Sequence, residues 1–429
     1  MDTRRLRLLR GFYENELKNR FLFYWLPRCE DTEHGGFVNC FTNDGKTLVS
    51  RDKYCWSQGR FVWMFAKLAS LSAPIFSKAE RAEFLRLSRQ GAAFLMRHAL
   101  LPGEPLRCAF LLEADGTPKY AAGCDALDAS IYADCFVAAG VGKYAEVADD
   151  PDAYRFAKDL YESILDRIRT GSFHTLPYPL NPAYRAHGVP MILENVAAEL
   201  YGAAGKFDPA YCEVLKEQLV GFTGDILQNF TDEDAHIREI ICADGTKLNK
   251  LLGRHINPGH SIEDVWFMLD SVALTEKAEW KPQIYRIAKA ALQTGWDAPY
   301  GGILHFAGLC GGKPEGDNTG LEQEPMSRQL ADWGGKLWWV HSEALYTTLR
   351  CYLETGDEAF WQWHTRVFDY AYATFPQTDA EVREWVQIRD RDGAPMNKVV
   401  ALPVKDPYHV IRTLALLLEL LYQEENEPC

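Results

Sequence analysis

Two short stretches place a histidine two residues after a proline, each at the head of an apolar run: PGHSIED from Pro258 and PYHVIR from Pro407. Proline suits a first helical turn, where its missing N–H has no intrahelical role. Helical spacing then puts His260, Glu263 and Phe267 on one face, and Arg412 one turn beyond His409. A carboxylate beside an imidazole raises its pKa and fixes its orientation. Taken alone, His260 with Glu263 reads more readily as a structural pair at a helix start than as a base aimed from a helix mouth. A second histidine in the equivalent place favours the base. Two facing imidazoles suit a reaction in which a proton leaves one side of a carbon and returns on the other.

Further candidates surround this pair. In WWVHSEA, His341 heads a third such run, as a site residue or as a polar core or rim residue beside Glu343. Trp338 and Trp339 offer faces for stacking or for packing. Arg60, in WSQGRFVW, is a cation on an apolar helix, which is costly unless paired or used. It either holds a substrate oxygen or makes a buried ion pair. Other chemistries lack their motifs: the chain has no GxxxxGK[ST], GxSxG or HExxH. His260, His341 and His409 could together ligate a metal, though no spacing demands it. A glycosidase needs two carboxylates across a cavity, which Asp134, Glu263 and Glu343 could supply.

These residues need elements to position them. Six apolar, small-residue-rich segments begin at Cys55, Ser130, Pro190, Pro258, Trp338 and Asp406, each after a loop rich in polar or aromatic residues. Amphipathic segments alternate with them: the N-terminal run to about Leu26, then 77–98, 150–169, 209–229, 281–294 and 357–374. The alternation predicts an all-α fold, a closed barrel of six inner and six outer helices, in preference to an open solenoid. The glycine-rich stretches HGGFVNCFTNDG and YGGILHFAGLCGG predict hairpins on one rim. No linker divides the chain, so residues 1–429 read as one domain.

Composition narrows the class. A net charge of −14 argues against a nucleic-acid or anionic-membrane partner. No apolar run is long enough to span a bilayer, and the basic N-terminus lacks the features of a signal peptide. The 11 cysteines are scattered singly, as expected of reduced thiols in a cytoplasmic protein. An aromatic content of 13% suits a ligand cleft or a bulky core.

The stretches DTEHGGF, YCWSQGRFVWMF, PMILEN, GRHINPGHSIEDVWF, GGILHF, KLWWVHSEA and PYHVIR, taken in order, resemble the N-acylglucosamine 2-epimerase family. The likeness covers nearly the whole chain. It implies an (α/α)6 barrel and metal-free sugar epimerisation or isomerisation. It implies His260 and His409 as the acid/base pair, Arg60 as the substrate-holding arginine, and Glu263 as the carboxylate beside the first histidine. Met191, Asn195, Trp338, His341, Glu343 and Arg412 are expected to contact substrate. PMILEN is similar to the acylglucosamine branch, whereas the isomerases and cellobiose epimerases tend to carry histidine where this chain has Ile192. The sequence Asp406-Pro407-Tyr408-His409 is closer to those other branches.

The expected reaction interconverts N-acetylglucosamine and N-acetylmannosamine through the ring-opened sugar. One histidine takes the C2 proton, Arg60 steadies an enediolate, and the other histidine protonates the opposite face. Alternatives are a mannose- or sulfoquinovose-type isomerase, a cellobiose or mannose 2-epimerase, a glycosidase on the same scaffold, and a non-catalytic partner-binding protein. No cofactor is expected, and ATP enters as an activator only through the family resemblance. The expected partner is a mono- or disaccharide, and a homodimer is expected on the same ground.

Overall fold

The computed structural model describes residues 3–426. Among the described residues, twelve long helices follow one another: α1 (Thr3–Glu16), α2 (Cys55–Ser70), α3 (Lys78–His98), α4 (Ile131–Ala148), α5 (Pro151–Thr170), α6 (Gly188–Phe207), α7 (Tyr211–Asp225), α8 (Pro258–Thr275), α9 (Lys281–Gly295), α10 (Trp338–Thr355), α11 (Glu358–Thr374) and α12 (Tyr408–Asn426). π-Helical turns prolong α1 over Leu17–Leu22 and α7 over Ile226–Phe230. Local chemistry marks several starts. Ser77 and Glu80 form a reciprocal capping box ahead of α3, and Asp150 accepts from the Asp152 and Ala153 N–H groups ahead of α5.

The even-numbered helices form the inner ring. Each packs on the next, from α2 on α4 to α10 on α12, and α12 returns to α2. That closed cycle makes the fold an (α/α)6 barrel and not a solenoid. The odd-numbered helices pack outside, each against an inner neighbour in the chain, and α1 against α12. The outer helices bury one stripe, whereas α4 buries residues around most of its circumference. One apolar core runs from Leu6 to Leu421. No helix among the described residues is long and apolar enough to cross a membrane.

The inner ring closes tightly between α2 and α4. A Cβ at Gly59 would stand 2.2 Å from the Phe136 carbonyl oxygen, and one at Gly140 would stand 2.2 Å from the Gly59 carbonyl oxygen. Backbone faces backbone there, so no side chain can yield. Gly59→Ala is expected to cost roughly 3 kcal/mol by overpacking. Urea unfolding checks this, and an unchanged midpoint would contradict the close approach.

The hairpin expectations are met in part. Cys40–Phe41 pairs with Leu48–Ser50, extending the first glycine-rich stretch. The second is not a self-contained hairpin. Ile303 bridges back to Trp296, and Ala307–Gly308 pairs with His255–Ile256, the strand that feeds α8. A third ladder pairs Tyr184–Ala186 with Ile240–Cys242 in register Ala186 to Ile240. It continues into a hydrogen bond from the His187 N–H to the Glu239 carbonyl, 2.9 Å. These ladders join loops from distant parts of the chain on the rim where the inner helices begin.

Candidate active site

A cavity of about 800 Å³ opens at that rim. The N-terminal halves of inner helices supply its walls: Trp56 and Arg60 from α2, Met191 and Asn195 from α6, His260 and Glu263 from α8, Trp338 and Trp339 from α10, His409 and Arg412 from α12. Loops add Tyr178, Glu239, His305 and Asp406. Inner helices of one barrel start at one end, so residues in equivalent first turns converge although they lie far apart in sequence.

His260 is set by its own helix start. Asn257 caps α8 by accepting from the His260 N–H at 3.2 Å, with Pro258 in the first turn. The His260 Nδ1–H donates to Glu239 Oε1 at 2.9 Å. A carboxylate is an acceptor only, so it selects the tautomer with a proton on Nδ1 and a lone pair on Nε2. Burial works against the Glu239 charge, but the His260 and His187 rings hold its carboxyl well below the usual range.

His409 repeats this arrangement on α12. Its Nδ1–H donates to Glu343 Oε1 at 2.8 Å, again leaving Nε2 as the basic atom. Burial pushes its pKa down to about 3; Glu263 opposes the shift, while Arg60 and Arg412 reinforce it. The ring is therefore neutral at pH 7, in the form that accepts a proton. Among the described residues, neither histidine has a hydrogen bond to Nε2 from the protein. Both rings flank Trp339, each with its centroid 5.5 Å from that ring and tilted by 38° and 39°. A Cβ on Gly259 would stand 2.5 Å from the Trp339 ring, so glycine is what admits the indole between the histidines.

The structure corrects the expected partner of the first histidine. Glu263 shares the α8 face with His260 but turns toward α12. There it accepts a short hydrogen bond from Arg412 and lies 3.6 Å from His409 Nδ1. Glu239, which the sequence reading passed over, holds His260 instead. No local signal exposes it, because the ladder between residues 184–186 and 240–242 brings it in.

Two more expectations are corrected. His341 does not line the cavity. Its Nδ1–H donates to the Leu337 carbonyl at 2.7 Å, its Nε2 accepts the Ile303 N–H at 2.9 Å, and it stacks on Tyr370. Both nitrogens are occupied, so it can neither contact substrate nor join His260 and His409 around a metal. Glu343 also lies behind the wall. It accepts from His409, from Arg412 at 2.7 Å and from the Trp266 indole at 2.9 Å. It holds wall residues in place and is not itself among the lining residues.

The remaining expected residues reach the cavity. Arg60 makes the ion pair and faces the cavity as well: it bonds Asp406 and lies over the rings of Phe136, Tyr408 and Trp56 at 4.1, 5.0 and 5.2 Å. Trp338 donates its indole N–H to the Asp406 carbonyl at 3.0 Å while lining the wall. Arg412 lines it beside Glu263, and Met191 and Asn195 line it from α6. Of the carboxylates considered for a glycosidase, Glu263 alone lines the cavity. Asp134 is buried elsewhere, accepting from Arg167 at 3.0 Å and the Cys108 N–H at 2.7 Å.

His305 is a cavity residue the sequence did not single out. It stacks on Phe306 at 3.9 Å, and burial, with a contribution from His260, pushes its pKa down to about 3. A lone polar residue between Leu304 and Phe306 in an apolar stretch was the available signal.

The geometry is that of two carboxylate-held imidazoles and two arginines around one pocket. Known proteins resemble this chain in sequence and in fold. The sequence pattern of the family described as N-acylglucosamine 2-epimerase (GlcNAc 2-epimerase) matches residues 35–413. An N-acylglucosamine 2-epimerase of Bos taurus is 31% identical over 411 residues, covering 94% of this chain and 89% of that one. Among solved structures, the cellobiose 2-epimerase of Bacillus thermoamylovorans shares the fold at a TM-score of 0.74 with 18% identity, covering 97% of this chain and all of that one. A D-mannose isomerase does so at 0.72 and 18%, covering 96% of this chain and 98% of that one. With the pattern spanning most of its length, this chain belongs to the N-acylglucosamine 2-epimerase family.

Proposed function

We propose that this chain interconverts N-acetyl-D-glucosamine and N-acetyl-D-mannosamine by moving the C2 proton between His260 and His409. The observation that carries the reading is the matched pair of imidazoles. Each is fixed through Nδ1 by a carboxylate, and each has a basic Nε2 beside one cavity. The sugar opens to its aldehyde, and the carbonyl acidifies the C2 proton. One Nε2 removes that proton. The resulting enediolate gains charge on oxygen, which Arg60 offsets from the cavity wall. The imidazolium is stabilised by its own carboxylate, Glu239 or Glu343. The other histidine then delivers a proton to the opposite face and inverts C2.

Two features support the acyl substrate. Met191 and Ile192 give the α6 wall an apolar surface suited to an acetyl methyl, and the Bos taurus relative carries that name. No cofactor is required by this chemistry, and ATP enters the reading only as an effector suggested by family likeness.

Proton NMR in D2O tests the reaction with N-acetylglucosamine, N-acetylmannosamine, mannose, glucose and cellobiose. The expected result is deuterium at C2 with the epimer appearing from either N-acetylhexosamine. Ketose formed from mannose would transfer the chain to the isomerase branch, where the proton returns to C1. No exchange with any of these sugars would overturn the reading.

A further inference from the structure

Behind His260, a row of ionisable side chains runs from the cavity into the core. Glu239 Oε1 accepts from His260 at 2.9 Å, and its other oxygen lies 3.7 Å from His187 Nδ1. His187 Nε2–H donates to Asp264 Oδ2 at 2.8 Å. Glu194 interacts with Asp264 and accepts a short hydrogen bond from Thr223, whose hydroxyl lies 2.7 Å from that of Ser271. His187, Glu194 and Asp264 are fully buried. His187 does not line the cavity, and its ring centroid is 6.4 Å from that of His260.

The charges alternate along this row. Burial favours a neutral His187, but Asp264 and Glu239 outweigh it and hold the pKa up to about 9. Burial and the neighbouring Asp264 push the Glu194 carboxyl well above the usual range. The other titratable groups around Glu239 are neutral: Tyr132 and Tyr178 are raised by burial, and His255 is lowered by it. His260 also faces His305, which is neutral too.

We propose that His187 is a positioning residue, a buried imidazolium clamped between Asp264 and Glu239 that orients the Glu239 carboxylate and offsets its charge. Without that cation, Glu239 would hold the His260 proton too tightly for it to be returned. The role rests on His260 acting as a base, and it explains why a fully buried histidine stands immediately before α6. Two carboxylates and one imidazolium leave a single net negative charge to serve His260.

The test uses the full-length protein labelled with 15N-histidine. In the wild type, one imidazole is expected to stay doubly protonated until about pH 9 and to vanish from the spectrum in His187→Gln. In that variant the His260 titration and the acid limb of kcat/KM are both expected to rise by about one pH unit, with KM little changed. Should His187→Gln fail to fold, Asp264→Asn is read instead. There the His187 titration is expected to fall and that of His260 to rise. The absence of an imidazolium at pH 8 in the wild type overturns the proposal, as does an unmoved His260 titration in the folded variant. The spectra need no substrate, so they report on His187 even if none of the sugars reacts.

Discussion

Alanine in place of His409 is expected to lower epimerisation about a thousandfold while leaving the barrel folded. A positioned general acid or base contributes on the order of 10² to 10⁴, and here one imidazole serves as acid in one direction and base in the other. The fold has reason to survive. Glu343 loses one partner but keeps Arg412 and the Trp266 indole, so no buried charge is orphaned. His260→Ala is expected to behave alike, because Glu239 retains His187 behind it. NMR progress curves measure the rate, and circular dichroism reports the helices. A folded His409→Ala variant within tenfold of the wild-type rate would remove His409 from the chemistry.

The second large effect concerns acid stability. Burial holds four histidines neutral: His305, His341 and His409 with pKa values pushed down to about 3, and His364 to about 4. Their unfolded values lie near 6.5. A depressed folded pKa contributes stability that is present above the unfolded value and lost as pH falls through the window from 6.5 toward 3. Asp134 works the other way. Burial, opposed by Arg167, raises its carboxyl to about 6, so it takes up a proton in the folded state. These five groups together take up about three protons on unfolding near pH 5.5, or about 4 kcal/mol per pH unit. His187 sets the alkaline side. Its raised pKa contributes stability that is complete below about 6.5 and lost as pH rises through about 9. Urea midpoints from pH 9 to 5 check both limbs, with His364→Gln expected to flatten the acid slope by one proton. Constant midpoints from pH 7 to 5 would contradict the buried neutral rings.

The scaffold was legible because it rests on local periodicity. The apolar run from Ser130 and the amphipathic run to Arg169 became α4 and α5 with boundaries nearly unchanged. His260 and His409 were legible because each helix announces its start with proline, and the first turn of an inner helix faces the mouth. What failed was rotation about the helix axis and pairing across loops. His341 and Glu343 stand two residues apart on α10, so they face different neighbours: His341 meets Tyr370 and Phe375, while Glu343 meets α8 and α12. Spacing alone does not say which of the two looks inward. Glu263 was placed on the correct face of α8, yet an arginine from α12 claimed it. Glu239 and His187 were invisible because a ladder between segments more than fifty residues apart creates their contact.

The two histidines differ in a way that bears on direction. His260 has an imidazolium behind its carboxylate, whereas His409 has Arg412 beside its own. Each base is therefore backed by a carboxylate whose charge is already partly offset, and each can release a proton as well as take one. An epimerase working near equilibrium needs that symmetry.

Stereospecific hydrogen exchange in the single-histidine variants tests the central claim most directly. His260→Ala and His409→Ala are each incubated in D2O with N-acetylglucosamine and, separately, with N-acetylmannosamine. Each variant keeps one base on one face, so each is expected to exchange the C2 proton of one epimer without forming the other. The two variants should select opposite epimers. Exchange of both epimers by either variant, or selection of the same epimer by both, would contradict a proton passed between His260 and His409 across C2.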